Sequence, residues 1–158
     1  VRGLNGVCRA PASALGCEGL DEIQEQYQGK MGVGCHEFPR GMRKHGREAA
    51  LAAEAAAIQG KFWEMHDELY KHQPIWAEAA KVNSLFESYA DEIGLDVARF
   101  RADRTAPDVR LRVLADTEAG DRRGITSTPT IFVNGDRMRN GPTRGESEKK
   151  LVAAFPSQ

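Results

Sequence analysis

The stretch ITSTPTIFVNG, residues 125–135, decides the fold class of this chain more than any other part of its sequence. Its β-branched and aromatic run, residues 130–133, predicts a β-strand. The pair Asn134-Gly135 follows at once and is the strongest short-range signal for a tight hairpin turn. Residues 136–138 then predict a returning strand, so the sequence predicts an antiparallel hairpin near its carboxyl end.

Pro129 is the unusual member of this stretch, because it stands directly before a strand that we expect to be buried. Proline has no N–H to donate to a ladder, so it is confined to strand starts, edges and bulges. The bond between Thr128 and Pro129 at such a corner is also a candidate cis peptide bond. This pair therefore predicts either a plain strand start or a cis-proline loop.

Size and charge restrict what the chain can be. With 158 residues and a formal net charge of −1, it has the size of one ordinary domain. A charge balance so close to neutral gives no electrostatic footprint for nucleic acid or for an anionic membrane. The sequence has no run of about 18 apolar residues, so we expect no membrane-spanning helix.

The amino-terminal part predicts a strand, a helix and a second strand. Residues 1–9 contain few aliphatic side chains and several glycines, so they predict a poor first strand. Pro11 suits the first turn of a helix, and apolar residues at helical spacing continue from there to Gly29. Residues 31–38 predict a second strand, and Pro39 ends it.

The middle of the chain, about residues 43–124, has the pattern of about five helices. An alanine-rich segment opens this block, and KFWEMHDELYKH, residues 61–72, follows with apolar side chains at helical spacing. Ser84 and Glu87 predict a capping box at the start of a later helix. Asp96 predicts the cap of the helix after that.

Residues 146–155 predict a last amphipathic helix after the hairpin. The order is therefore strand, helix, strand, helical block, hairpin and helix. This order defines an α/β fold with a helical insertion between the second strand and the carboxyl-terminal hairpin. The insertion is too regularly patterned to be a loop.

Two local sequences and this element order resemble the DsbA-like branch of the thioredoxin superfamily. Residues 36–73 are similar to that family's second strand end and first insertion helices. Residues 125–138 are similar to its cis-proline loop and last hairpin. The similarity runs from about Leu20 to Phe155. It implies a thioredoxin-like fold that forms a single domain over residues 1–158.

The resemblance also implies a function. Members of this family are thiol–disulfide oxidoreductases that act on protein thiols and disulfides. They hold an extended polypeptide at the cis-proline loop, which here contains Thr128 and Pro129. The resemblance further implies a redox partner that recycles the enzyme, a periplasmic or extracytoplasmic location in the bacterial cell envelope, and no bound cofactor.

The catalytic cysteines of the family are missing from this chain. The Cys-Pro-x-Cys motif falls on Ala10-Pro11-Ala12-Ser13, where only the proline is in place. A cysteine at a helix amino terminus becomes a reactive thiolate because the exposed N–H groups and the helix dipole lower its pKa. Alanine has no nucleophile, and a serine hydroxyl needs an activating base that the sequence does not place nearby. We therefore expect no dithiol exchange through these four positions.

Cys8, Cys17 and Cys35 are the cysteines that remain. Cys8 is expected just before the first helix, and Cys17 one turn beyond Ser13, at a rise of about 6 Å along the axis. A disulfide requires Cα atoms within about 7 Å of each other, so Cys8 and Cys17 are candidate substitute thiols whose pairing depends on the local geometry. The other interpretation is that Cys17 and Cys35 are small buried apolar residues.

The pairs His36-Glu37 and His66-Asp67 suggest a metal site at first sight. Zinc sites need three or four converging ligands, and no second histidine or cysteine at ligand spacing supports either pair. We therefore expect no metal site. His66 lies on the apolar face of its helix, and we interpret it as a core histidine.

Two other functions remain open at this point. The first is a redox-inactive relative that binds peptides or acts as a chaperone through the same groove, where the amino terminus of the Pro11 helix would still attract a carboxylate. The second and weaker alternative is an enzyme similar to the kappa-class glutathione transferases, which carry a serine in a related motif. Their serine occupies the first motif position, which is Ala10 here, whereas Ser13 is at the other end.

Overall fold

The computed structural model describes two compact units within this chain. The described residues are 3–7, 32–39, 44–128, 130–133 and 135–137. One unit comprises residues 1–36 and 120–158, and the other comprises residues 37–119. We call the first the sheet unit and the second the helical unit.

The sheet unit contains a four-stranded mixed sheet in the order β2-β1-β3-β4. The strands are β1 Gly3–Val7, β2 Gly32–Cys35, β3 Thr130–Val133 and β4 Asp136–Arg137. Strand β1 runs parallel to β2 and antiparallel to β3, and β3 and β4 form the antiparallel hairpin that the sequence predicted. This is the strand order of a thioredoxin-like fold.

Strand β1 is paired more extensively than its composition suggested. The sequence predicted a poor strand because of its glycines, yet β1 is central and pairs along its length with both β2 and β3. Strand propensity depends strongly on context, and a strand with partners on both sides gains ladder hydrogen bonds along two edges. The second strand is shorter than predicted, because residues 36–39 make no ladder.

Six helices occupy the described residues between the second and third strands, where the sequence predicted about five. They are α1 Gly46–Ile58, α2 Phe62–Lys71, α3 Gln73–Trp76, α4 Asn83–Glu92, α5 Val97–Asp103 and α6 Pro107–Arg122. Helix α1 packs against α2, α4 and α5. It can approach three neighbours because its buried side chains are small, namely those of Ala50, Ala52, Ala53, Ala55 and Ala56.

The core of the helical unit is aromatic at its centre. Phe86 and Phe100 are completely buried, and the guanidinium of Arg104 lies 5.6 Å and 5.5 Å from the centres of their rings. Trp76 meets Phe86 edge to face at 5.8 Å, and its Nε1–H donates to the carbonyl of Leu69 at 2.6 Å. The indole is therefore buried with its polar atom satisfied.

The ends of two helices test the predicted caps. Asp96 caps α5 as predicted, because its Oδ1 accepts a hydrogen bond from the N–H of Arg99 at 3.0 Å. The capping box at Ser84 and Glu87 is wrong, since the cap position of α4 lies two residues earlier than Ser84 and has no side-chain cap. Val82 occupies that cap position, and it is buried, so packing rather than a hydroxyl fixes where the helix begins.

Candidate functional site

The register of the sheet places the ends of β1 and β2 and the start of β3 at one edge. Val7, the last residue of β1, lies opposite Thr130, the first residue of β3. Cys35, the last residue of β2, lies opposite Gly6 of β1. Because parallel strands end at the same edge and an antiparallel neighbour begins there, Val7, Cys35 and Thr130 define one border of the sheet, which we call the carboxyl edge.

The loop that enters β3 at the carboxyl edge is held at both ends. At its start, Gly124 has a φ of 63°, a left-handed conformation that glycine adopts without steric cost. The N–H of Ile125 donates to the carbonyl of Gly120 at 3.1 Å, and the Ile125 side chain is buried. This arrangement ends helix α6 and sets the direction in which the chain leaves it.

A side-chain hydrogen bond fixes the other end of the loop. The hydroxyl of Thr130 donates to the carbonyl of Ser127 at 2.6 Å, and Thr130 itself is buried. Thr126 and Ser127 are exposed and Thr128 is half-buried. The loop thus presents polar residues and backbone at the carboxyl edge while its two ends are anchored.

Strand β3, which follows this loop in the chain, has buried side chains. Ile131 and Phe132 are successive residues and both are buried, which means that β3 has cover on both faces. The guanidinium of Arg123, just before the loop, lies 5.1 Å from the centre of the Phe132 ring. This cation–π contact ties the start of the loop to the strand that the loop enters.

Only some of the predicted site residues lie in the described part of the chain. Thr128 lies on the anchored loop at the carboxyl edge, and its part in substrate binding stays a prediction. Pro129, Cys8, Cys17 and the motif positions 10–13 lie outside the described residues, so the cis-proline bond and the geometry of the motif remain predictions. In the sequence, Cys8 follows directly on Val7, the β1 residue at this edge.

A second feature, in the helical unit, is a carboxyl group with a strongly raised pKa. Burial raises the pKa of Glu37 to about 8, and the nearby carboxylates of Glu54 and Asp116 add to this shift. The residue as a whole keeps some exposed surface, so the shift belongs to its withdrawn carboxyl group. The backbone N–H of Glu37 donates to Oδ2 of Asp116 at 2.9 Å, which holds the two residues together.

A carboxyl group with a pKa of about 8 is protonated at neutral pH, and it can therefore donate a hydrogen bond instead of only accepting one. Such strongly perturbed groups are concentrated at functional sites, although structural clusters also produce them. The sequence analysis considered Glu37 only as a metal ligand. The sequence signal for a buried acid was its position directly before an aromatic residue and a proline, Phe38 and Pro39. Phe38 is buried in the structure.

Comparison with known proteins assigns the family. The family model described as Thioredoxin matches residues 8–153, which is nearly the whole chain. This chain therefore belongs to the thioredoxin family.

Solved structures agree on the form of the fold. Oxidised BdbD from Bacillus subtilis superimposes with a TM-score of 0.82 at 18% identity, covering 98% of this chain and 88% of that chain. The oxidoreductase DsbA from Xylella fastidiosa gives 0.77 at 18% identity, covering 97% and 85%. These structures confirm the thioredoxin-like fold with a helical insertion, and they confirm the DsbA-like resemblance at the level of the fold.

The curated proteins that this chain matches are named as antiporters and are much longer than it. The protein named Na(+)/H(+) antiporter NhaA 3 from Salinispora tropica is 42% identical over 113 residues, which cover 69% of this chain but 16% of that protein. This chain spans only 14% to 20% of the lengths of the curated relatives that it matches. Among the residues that the structure describes, no helix combines the length and apolar character needed to cross a membrane.

Glu37 leads to a prediction about pH and stability. The pKa of its carboxyl group is about 8 in the folded chain against an ordinary value of 4.5, so the native state retains a proton that the unfolded state releases. The free energy of unfolding should therefore fall as the pH rises from about 4.5 to about 8. The loss should amount to a few kcal/mol, because one pKa unit corresponds to about 1.4 kcal/mol.

The variant Glu37→Gln cannot ionise and should remove most of this decline in urea unfolding measured across that pH range. Glu64→Gln is the matched control, because Glu64 is exposed on α2 and its replacement should leave the decline in place. An unchanged pH profile in Glu37→Gln would contradict the raised pKa.

Proposed function

We propose that this chain is a DsbA-like domain of the thiol–disulfide oxidoreductase type that binds extended protein substrates at the carboxyl edge. The register of β1 against β3 carries this proposal, because it puts the entry loop of β3 at the border where β1 ends at Val7. Exposed backbone next to a strand start can pair with an extended peptide as an added strand does. The anchored loop at Ser127 and Thr128 supports such pairing, because it needs little ordering when a substrate binds.

Thiol chemistry in this chain must come from Cys8, Cys17 or Cys35, since positions 10 and 13 carry no sulfur. In the proposed reaction the thiolate of Cys8 attacks a substrate disulfide, forming a mixed disulfide and releasing one substrate thiolate. Cys17 then attacks the Cys8 sulfur, which releases the second substrate thiol and leaves an internal disulfide. The substrate is reduced by two electrons, and a dithiol reductant or redox partner returns two electrons to the chain.

A redox-inactive binding module is the second candidate function. The substitution of both motif cysteines by Ala10 and Ser13 favours it directly. The anchored loop before β3 would serve a chaperone or an adaptor equally well, because peptide pairing uses main-chain groups and needs no thiol. The two candidates therefore share a binding surface and differ only in sulfur chemistry.

The wild-type chain separates these candidates in a turbidity assay of insulin reduction by dithiothreitol. The oxidoreductase predicts a rate at least about tenfold above background, lost in Cys8→Ser because the attacking thiolate is removed. Cys35 also lies at the carboxyl edge, so Cys35→Ser is measured beside it: loss of the rate in Cys35→Ser but not in Cys8→Ser would move the attacking thiol to β2. A background rate in the wild type, together with binding of an unfolded peptide, would instead establish the binding module.

Restoring the motif tests where the active site lies. The double variant Ala10→Cys with Ser13→Cys should reduce insulin rapidly, because a thiolate at a helix amino terminus would then face a resolving thiol. Ala10→Cys alone is the matched control: it should trap the substrate as a stable mixed disulfide without turnover. A correctly folded double variant that gains no activity would show that the carboxyl edge does not hold the motif.

The curated relatives suggest where such a domain works. Their name describes antiporters of Na⁺ and H⁺, so we propose that this chain acts beside or joined to a cation antiporter, on the extracytoplasmic side of the membrane. An epitope-tagged copy in its native cells should be digested when protease is added to spheroplasts. Full protection until the cells are lysed would refute this location.

A further inference from the structure

Three side chains of the helical unit converge on one point near the ends of two helices. They are Glu68 on α2, His72 directly after α2, and Glu92 at the end of α4. One ligand atom from each lies within 4.8 Å of the other two. We propose that Glu68, His72 and Glu92 form a binding site for a divalent transition-metal ion of the Zn²⁺ type, which goes beyond the proposed function in the sheet unit.

The two ligands from α2 are arranged by the helix itself. Residues four apart lie on the same face, one turn apart, and Nε2 of His72 is 3.0 Å from Oε2 of Glu68. The backbone N–H of His72 still donates to the Glu68 carbonyl at 3.0 Å, so the helical geometry extends to the histidine. A Glu-x-x-x-His pair of this kind provides two converging donor atoms with no change in the backbone.

The imidazole of His72 is held by an aromatic neighbour. The ring of Tyr89 stacks on it at 5.0 Å with an interplanar angle of 19°, and Tyr89 is buried on α4. This stack fixes the plane of the imidazole and links α2 to the helix that provides Glu92.

The carboxylate of Glu68 has one oxygen occupied and one without a hydrogen bond. Its Oε1 accepts a hydrogen bond from Nζ of Lys71 at 2.9 Å. Its Oε2 is buried and has no hydrogen-bond donor, although His72 Nε2 is only 3.0 Å away. The two atoms are therefore close without the alignment of a hydrogen bond. A buried polar atom without a donor calls for an explanation such as a bound ion.

The charges around the site favour a cation. Glu68 and Glu92 contribute two carboxylates, and the ammonium group of Lys71 lies 2.9 Å from Oε1 of Glu68. Two carboxylates face one ammonium group, so the site has a net negative charge when His72 is neutral. A divalent ion would neutralise this excess, and the exposed side chain of Glu92 gives it a route from solvent.

The donor set selects the class of ion. One imidazole nitrogen and two carboxylate oxygens match a Zn²⁺ site with three protein ligands and an open fourth position for water. Mg²⁺ and Ca²⁺ prefer oxygen ligands alone. Zinc bonds to these atoms are about 2.0–2.2 Å long, which puts tetrahedral ligand atoms about 3.4 Å apart. Atoms that are now separated by up to 4.8 Å must therefore approach by roughly an ångström. The sequence analysis missed this set because the third ligand lies 20 residues further on and on another helix.

Isothermal titration of the full 158-residue chain with ZnCl₂ tests the proposal. We expect one ion per chain, binding at least about tenfold more weakly in Glu92→Gln and in His72→Ala, because each variant removes one ligand. Asp91→Asn is the matched control: it removes an exposed acid next to Glu92 and should leave the affinity unchanged. Glu92→Gln keeps the test valid if His72→Ala unfolds, because it replaces an exposed side chain.

Co²⁺ in place of Zn²⁺ distinguishes this site from the cysteine thiols. Visible d–d bands without a thiolate charge-transfer band, reduced in Glu92→Gln, would support the proposed ligands. A thiolate band would place the ion on cysteine and overturn the proposal. The absence of binding, or equal affinity in Glu92→Gln and the wild type, would also overturn it.

Discussion

The antiparallel register of β1 against β3 is the constraint on which the sheet unit depends. With Val7 opposite Thr130, the entry loop of β3 must lie at the border where β1 ends. A slip of one residue would turn every β3 side chain to the opposite face of the sheet. The hydroxyl of Thr130 and the buried side chain of Ile125 reinforce this register, because they hold the loop at both ends.

The helical unit is stabilised by hydrogen bonds between its own helices. It also contains a buried carboxyl group, that of Glu37, whose ionised form would be unfavourable there. Gln59 and Asp96 exchange two side-chain to backbone hydrogen bonds, at 2.9 Å and 3.2 Å, that join the end of α1 to the start of α5. Burying an ionised carboxylate in such a unit would be costly. Glu37 meets this constraint by keeping its proton, while Asp116 accepts a backbone N–H. Tyr89 of the buried core also stacks on the imidazole that is proposed to bind metal.

Within the described residues, sequence patterns predicted the strands and the helical insertion. The helices predicted at residues 11–29 and 146–155 lie outside them, and the site residues stay predictions. The hairpin at residues 130–137 followed from local turn chemistry, which needs no tertiary information. The strength of β1 did not, because a strand with two partners owes its stability to neighbours that are distant in the sequence. The pKa of Glu37 and the Glu68, His72 and Glu92 set were missed for the same reason. Both depend on side chains that different helices bring together.

This chain has the fold of its family but has no sulfur atom at the two cysteine positions of the motif, which are Ala10 and Ser13. The fold depends on strand register, on small side chains in α1 and on aromatic packing, and none of these involves motif positions 10 and 13. Peptide pairing at the carboxyl edge would depend on backbone groups, which are also independent of the motif. Dithiol exchange depends on two sulfur atoms, and Ala10 and Ser13 have none, so such exchange in this chain would have to use other cysteines, such as Cys8 and Cys17. The fold therefore determines where a substrate would bind, whereas individual side chains determine whether electrons can be transferred there.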